Sequence, residues 1–272
     1  MIETTYRIAN APRIALLTDI HGRSCEKIII SLKSHKPDLI AISGDLLYGS
    51  PPEDDSSPLD AQTNVLPFLD ACVAIAPAYF SLGNHEWCLN RSDLKRISDL
   101  GVHVLDNNWE IINDSLAIGG LTSGHIMKFR RYMANTKISE RDFLRYPERY
   151  IDKRNDSFWR ELEDTPDTSW LTHFASLPGY RLLLSHHPEI FDLIPPSVNL
   201  VLSGHTHNGQ IAYYSILRHR WTGLWAPGQG LFPKYSKGLY ENDRLIVSAG
   251  LSNTAKIPRL FNPTEIVYIE PG

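Results

Sequence analysis

The chain has 272 residues, 42% apolar and 21% charged, with a formal net charge of −4. That length and apolar share support a sizeable core, in one large domain or two small ones, and exclude a chain that is disordered over most of its length. The negative balance argues against a general nucleic-acid-binding surface.

Met1 to Pro12 is mixed and polar, without a basic region followed by a long apolar one, so no export signal is expected. No later apolar run reaches the roughly 18 residues that a membrane span requires. Cys25, Cys72 and Cys88 are odd in number and form no Cys-x-x-Cys pair, which fits reduced thiols better than a disulfide framework. Together these features predict a soluble cytoplasmic protein.

Arg13 to Leu17 is a short apolar run ending in Thr18-Asp19, and its lack of polar alternation predicts a strand buried on both faces. Residues 24–35 carry Ile28, Ile29 and Leu32 at helical spacing, with Ser24 as the expected N-cap. Leu39 to Ile42 is the next strand and delivers Gly44-Asp45, so the first sheet should contain parallel pairs. Gly49 to Pro58 is a surface loop rich in Pro, Ser and acids. Residues 59–75 read as one helix with Val65, Phe68, Leu69 and Cys72 on its inner side. Ala78 to Phe80 is a third strand, Ser92 to Leu100 a helix, and 102–105, 109–112 and 116–119 are short strands.

Residues 124–179 differ from their surroundings. From Lys128 to Arg160 there are ten Lys or Arg against five Asp or Glu, interleaved with aromatics. This is read as a largely helical insertion in a single domain spanning 1–272. It is either a solvated, salt-bridged helical pair or a cap whose Arg residues hold an anionic substrate. Strand pattern returns at 181–184, 198–202, 210–214, 244–247 and 265–269. Trp221 and Trp225 fit core, interface or pocket wall, with core or wall expected first. The whole reads as α/β, with two sheets packed face to face and helices outside.

Five stretches carry chemistry at strand ends: Asp19-Ile20-His21, Gly44-Asp45, Gly83-Asn84-His85-Glu86, Ser185-His186-His187 and Gly204-His205-Thr206-His207. Carboxylate, imidazole and amide oxygen without thiolate suit Mn²⁺, Fe²⁺, Zn²⁺ or Ni²⁺ better than a structural zinc site. Asp19 and His21 are two apart, as are His205 and His207, so each pair can face one ion from a strand end. Asp45 is the natural bridge, because one carboxylate has two oxygens. Two ions about 3.5–4 Å apart activate a bridging hydroxide for in-line displacement at phosphorus.

The series Asp19-x-His21, Gly44-Asp45, Gly83-Asn84-His85-Glu86, His186 and Gly204-His205-x-His207 resembles the calcineurin-like metallophosphoesterase superfamily. The resemblance runs from about residue 12 to 269, excluding the insertion. It implies a four-layer α-β-β-α sandwich of two mixed sheets, with two divalent ions, Mn²⁺ first, at the sheet edge. Carried over, one ion is held by Asp19, His21, Asp45 and His207, and the other by Asp45, Asn84, His186 and His205. His85 is then a catalytic residue that bonds the phosphate and assists the leaving oxygen, with Glu86 either orienting it or purely structural. Tyr235 to Tyr240, Val247 to Leu251, Pro258-Arg259 and Pro263 to Ile266 are similar to a bacterial branch of small phosphodiesterases. Asn208 departs from that branch, which usually has a second glycine there. The expected substrate is a small-molecule or lipid-headgroup phosphodiester. A phosphomonoester or phosphoprotein comes next, and a non-catalytic metal-binding scaffold is a less favoured reading.

Overall fold

Two six-stranded sheets face each other in the protein. The structure, a computed structural model, describes residues 1–49, 56–135, 166–216, 219–253 and 257–272. The first sheet has the order β1-β16-β2-β3-β4-β5, where β1 is Ile2–Ile8, β2 Ile14–Leu17, β3 Leu39–Ser43, β4 Ala78–Ser81, β5 His103–Leu105 and β16 Glu265–Pro271. The second runs β14-β15-β9-β8-β7-β6, with β6 Asn108–Asn113, β7 Leu116–Leu121, β8 Tyr180–Ser185, β9 Leu200–Ser203, β14 Gly238–Tyr240 and β15 Leu245–Val247. Strands β2 to β5 are mutually parallel, as are β7, β8, β9 and β15. Antiparallel neighbours occur at β16/β2, β6/β7 and β14/β15, so both sheets are mixed.

The near-continuous apolar strands are explained by burial on both faces. Side chains alternate across a strand. Leu16, Ala41 and Tyr79 of the first sheet meet Ile118, Leu184 and Leu202 of the second in a central core. Leu17, Ile42 and Phe80 point the other way, toward α1 (Glu26–His35) and a helix over residues 65–73. Ala117, Leu183 and Val201 point outward from the second sheet onto Leu171, Phe174 and Phe191. Helices therefore flank both sheets, giving the expected α-β-β-α layering.

Three local expectations change. Ser24 is not the cap of α1: the N-cap is Cys25, which makes no side-chain cap bond, and its thiol donates to Arg23 O instead. The single helix over 59–75 is two, α2 (Pro58–Ala61) and α3 (Val65–Val73). The break has a physical reason. The Gln62 amide exchanges two hydrogen bonds with the Tyr48 backbone, at 2.7 and 2.8 Å, and the Asn64 amide donates to Gly22 O at 3.2 Å. Those side chains hold the loops after β2 and β3, and residues 62–64 leave the helix to do so. The four residues expected on the inner face of α3 are all buried. The polar N-terminus also forms a strand, β1, an edge strand parallel to β16 whose Thr4, Tyr6 and Ile8 alternate with exposed residues.

Helix α4 (Arg91–Asp99) follows β4, and α5 (Gly124–Asn135) and α6 (Leu171–Ser176) stand at the two ends of the expected insertion. Residues 136–165, its centre, lie outside the described residues, as do 50–55 of the loop over 49–58. Two small hairpins project from the chain after β9. They are β10 (Ala212–Ser215) with β11 (Arg220–Gly223), and β12 (Trp225–Ala226) with β13 (Gly230–Leu231). Trp221 and Trp225 are 48% and 49% exposed, so neither is core, and Trp221 lines a cleft with Arg220 and Phe261. Each sits on a two-stranded hairpin that no third layer covers among the described residues. No helix among the described residues is long and apolar enough to cross a membrane.

Candidate metal centre

Each stretch singled out in the sequence lies just beyond the C-terminal end of a strand in the parallel parts of the sheets. Asp19 and His21 follow β2, Asp45 follows β3, Asn84 and His85 follow β4, His186 follows β8, and His205 and His207 follow β9. Because the two sheets face each other, these ends share one crevice, the usual ligand position in parallel α/β sheets.

The local backbone differs from the strand-end geometry that the i, i+2 spacing suggested. Asp19, His21, Asp45, His205 and His207 all have positive φ, between 46° and 66°. Non-glycine residues there are strained, and such strain is retained where the surroundings over-determine it. Tight left-handed turns, not strand alternation, turn these side chains into the crevice. Close backbone approach adds to this: a Cβ on Gly204 would run into Thr18 and Asp19, and one on Gly83 into Asp45.

Ligand-type atoms form four overlapping groups among the described residues, each with its donor atoms within 4.8 Å of one another. His21, Asp45 and His85 form one and His187, Glu189 and His205 another; the two that match the expected ligands are Asp19, His21 and His207, and Asp45, His186 and His205. His207 Nε2 lies 3.3 Å from Asp19 Oδ1. Asp45 Oδ2 lies 3.0 Å from His186 Nε2 and 3.8 Å from His21 Nε2, so this one carboxylate is reached from both groups. Two atoms aimed inward are buried with no hydrogen-bond partner, His21 Nε2 and Asn84 Oδ1. Orphaned buried acceptors of this kind cost free energy unless something else satisfies them. The outer nitrogens are occupied: His21 Nδ1 donates to Leu47 O at 3.1 Å and His186 Nδ1 to Ser43 O at 2.8 Å. That places a hydrogen on each outer nitrogen and, in the neutral ring, leaves the inner nitrogen's lone pair for a cation, the arrangement of metal-bound histidines. The donor set and the orphaned atoms fit divalent cations.

Electrostatics agree. Burial holds His21 down at about 4, and burial also keeps His205 and His207 below the ordinary imidazole range, helped by His187 and Arg259 respectively. Burial alone would raise Asp19 and Asp45, but the imidazoles around them hold both low, Asp45 well below. His186 is the exception: burial disfavours its charge, yet Asp45 and Asp19 outweigh that and push it up to about 10.

Of the two roles left open for Glu86, the contacts favour the structural one. Its buried carboxylate accepts from the backbone N–H of Asp45, Leu47 and Gly83, at 2.9, 3.1 and 2.7 Å, and so ties the loop after β3 to the loop after β4. His85 is oriented by the Gly49 N–H, which donates to its Nδ1 at 2.8 Å, and its Nε2 lies 3.9 Å from Asp45 Oδ2.

Other side chains at the centre carried no signal beyond their type. Arg259 Nη2 sits 2.9 Å from His207 Nδ1 and donates to Ala249 O and Ser252 O. On the opposite side, His187 Nδ1 is 3.1 Å from Glu189 Oε1, and its Nε2 is 2.8 Å from Ser123 Oγ. Burial would raise Glu189, but the His187 bond and charge bring it to about 2. His187, Glu189 and Ser123 line a cavity of about 340 Å³, together with Asn84, His205 and apolar residues such as Leu121 and Ile190. Sequence reasoning noted His187 only as the neighbour of His186, and Arg259 only as part of a resemblance.

The calcineurin-like phosphoesterase model matches residues 12–209, which include all seven candidate ligands. The chain belongs to the calcineurin-like phosphoesterase family. Relatives share modest identity across nearly all of it. An uncharacterized metallophosphoesterase of Campylobacter jejuni is 25% identical over 269 residues, covering 94% of this chain and 58% of that protein. One of Aquifex aeolicus is 26% identical over 270 residues, covering 98% and 85%. The chain spans only about half the length of some relatives, such as 43% of a Danio rerio transmembrane protein with a metallophosphoesterase domain, matched at 26% identity over 76% of this chain. Among solved structures, a dimetal phosphatase from Danio rerio superposes with a TM-score of 0.50 at 14% identity, covering 88% of each chain, a likeness of fold.

A pH dependence follows for this centre. A histidine raised to about 10 stabilises the metal-free fold fully below its unfolded pKa of about 6.5, and that contribution is lost as pH rises through 10. The same proton competes with a cation at Nε2. Loading the metal-free protein with Mn²⁺ at pH 7 should therefore release about one proton, and affinity should climb with pH. Calorimetry in buffers of different ionisation enthalpy reads the number; His186→Asn should abolish the release.

Proposed function

We propose that the chain is a dinuclear-metal-dependent hydrolase of phosphoesters, with phosphodiesters as its first substrates. The observation that carries this reading is Asp45, whose Oδ2 is within reach of both His21 and His186, so that one carboxylate can serve two cation positions. Asp19, His21, Asp45 and His207 would hold one ion, and Asp45, Asn84, His186 and His205 the other. When bound, such a pair supplies activated water and neutralises charge on a phosphoryl group undergoing in-line displacement. The oxygen and nitrogen donors make Mn²⁺ the first ion to test.

The side chains do the rest. Because Gly49 donates to His85 Nδ1, the neutral ring carries its hydrogen on Nε2, facing the cluster. That N–H can donate to a phosphoryl or leaving oxygen. Full proton transfer would require the Gly49 bond to break, so hydrogen-bond donation is the role assigned to His85. The cavity beside Asn84 and His205, with its apolar wall, leaves room for a second ester substituent, which favours a diester over a monoester.

The test is hydrolysis of bis-p-nitrophenyl phosphate beside p-nitrophenyl phosphate by Mn²⁺-reloaded protein. The diester should be preferred. His85→Ala should lower turnover by about 10²-fold or more while both ions stay bound. Preference for the monoester would replace the diester reading with a phosphatase. Loss of metal in the variant would make His85 a ligand.

A further inference from the structure

The two hairpins after β9 form a face that the metal chemistry does not use. It lies beyond residues 12–209, the span that the family model matches. Of the sixteen large apolar side chains exposed among the described residues, nine fall between Tyr214 and Phe261. Ile216 at the hairpin turn is 76% exposed and Phe261 75%. Exposed apolar surface of this density on a globular protein marks an interaction site.

The residues form one connected surface. Trp221 on β11 packs against Tyr214 across the hairpin and stacks on Phe261, with ring centroids 6.0 and 5.6 Å apart. Leu224 N donates to Ile211 O and Phe232 N to Leu224 O, which joins the hairpins to each other. Ala212 N and Leu260 O bond at 3.0 Å, which joins the 257–261 segment to them. The face is fixed to the metal loop as well, since the Gly209 backbone packs against Trp225 O so closely that a Cβ there would not fit. Beneath Trp221 and Phe261 lies a cleft of about 440 Å³ holding Arg220 and Lys237. Arg220 Nε is buried there without a partner.

Charge decides what fits. In a chain of net charge −4, no Asp or Glu occurs from residue 193 to 240, nor from 244 to 264. The nearest acids in sequence, Asp192 and Glu241, are paired with Lys234 at 3.4 and 3.2 Å, and the acid that reaches the cleft, Glu265, is buried and paired with Lys237 at 2.7 Å. Trp, Tyr, Phe, Ile and Leu protruding from short hairpins that carry cations such as Arg220 and no acid of their own is the composition of a surface that enters the headgroup layer of an anionic membrane. A second copy fits poorly, because it would set two acid-free, cationic faces against each other.

We propose that this face docks on an anionic lipid surface and so presents the metal centre to the bilayer interface. The docking does not depend on which phosphoester the centre cleaves. The test is co-sedimentation of the full chain with vesicles of phosphatidylcholine alone and of an equal mixture with phosphatidylglycerol. The chain should bind the mixed vesicles more tightly and be released by salt. The triple variant Ile216→Glu, Trp225→Glu, Phe261→Glu should lose at least about tenfold in partition, given what burying three large side chains contributes. Its turnover of a soluble diester should not change. No binding of the wild type to mixed vesicles, or equal binding of the variant, would overturn the proposal. So would a wild-type dimer in sedimentation velocity that the variant dissociates, since the face would then be closed by protein.

Discussion

Asp45→Asn should strip the centre of metal and reduce diester turnover by about a thousandfold or more, while the fold survives. The substitution keeps shape and volume but removes the charge and one acceptor oxygen at the point reached from both His21 and His186, 3.8 and 3.0 Å away. An amide offers a single weak ligand oxygen, so it cannot serve two cations. Its NH₂ would also face imidazole nitrogens whose outer positions are already fixed by Leu47 O and Ser43 O. Removing the negative charge should let the His186 pKa fall, because Asp45 and Asp19 are what hold it at about 10 against burial. Elemental analysis after metal loading and the melting temperature of the metal-free protein separate the outcomes. Full metal content with lost activity would make Asp45 a catalytic group and not a bridge. Loss of the fold would make the experiment one about stability, and Asn84→Ala, which leaves no charge behind, would then carry the test of the second ion position.

How much of this could be read from the sequence depends on the kind of signal. Strands buried on both faces announce themselves as unbroken apolar runs, which is why β2, β3, β4 and β9 were legible. The ligand types at their ends were legible because only a sheet edge gathers such residues from distant positions. What failed was everything decided by one tertiary contact. The helix over 59–75 breaks because Gln62 and Asn64 find backbone partners in loops far away in sequence. Strand β1 is an edge strand whose polar face hides its alternation, and it forms because β16, more than 250 residues away, returns beside it. Trp221 and Trp225 could not be placed between core, interface and pocket wall, because composition cannot tell an apolar residue that is covered from one that is exposed. The left-handed turns at Asp19, His21, Asp45, His205 and His207 had only a weak residue signature, since aspartate and histidine are enriched there but far less diagnostic than glycine.

Glu86, left by its sequence between orienting His85 and a structural role, is decided by its contacts, and its removal should have the second large effect. A carboxylate that oriented His85 would, when replaced by alanine, slow turnover and leave stability alone. The contacts favour the structural role, because three backbone N–H groups from two loops converge on it and it is 1% exposed. Burial and the nearby Asp45 charge raise it to about 7, while the N–H donors from Leu47 and Asp45 oppose them, so this carboxyl is held where carboxylates resist being. Glu86→Ala would leave those donors buried without partners, at a cost of about 4 kcal/mol. For a chain of this size that corresponds to a fall in melting temperature of about 10 °C. Because the Asp45 N–H is one of the three, the loop that aims Asp45 should loosen too, and metal affinity should drop with stability. Thermal unfolding of the metal-free protein beside a metal titration reads both. Unchanged melting with slowed turnover would restore the orienting role, and the Gly49 N–H would then not be what holds the His85 ring.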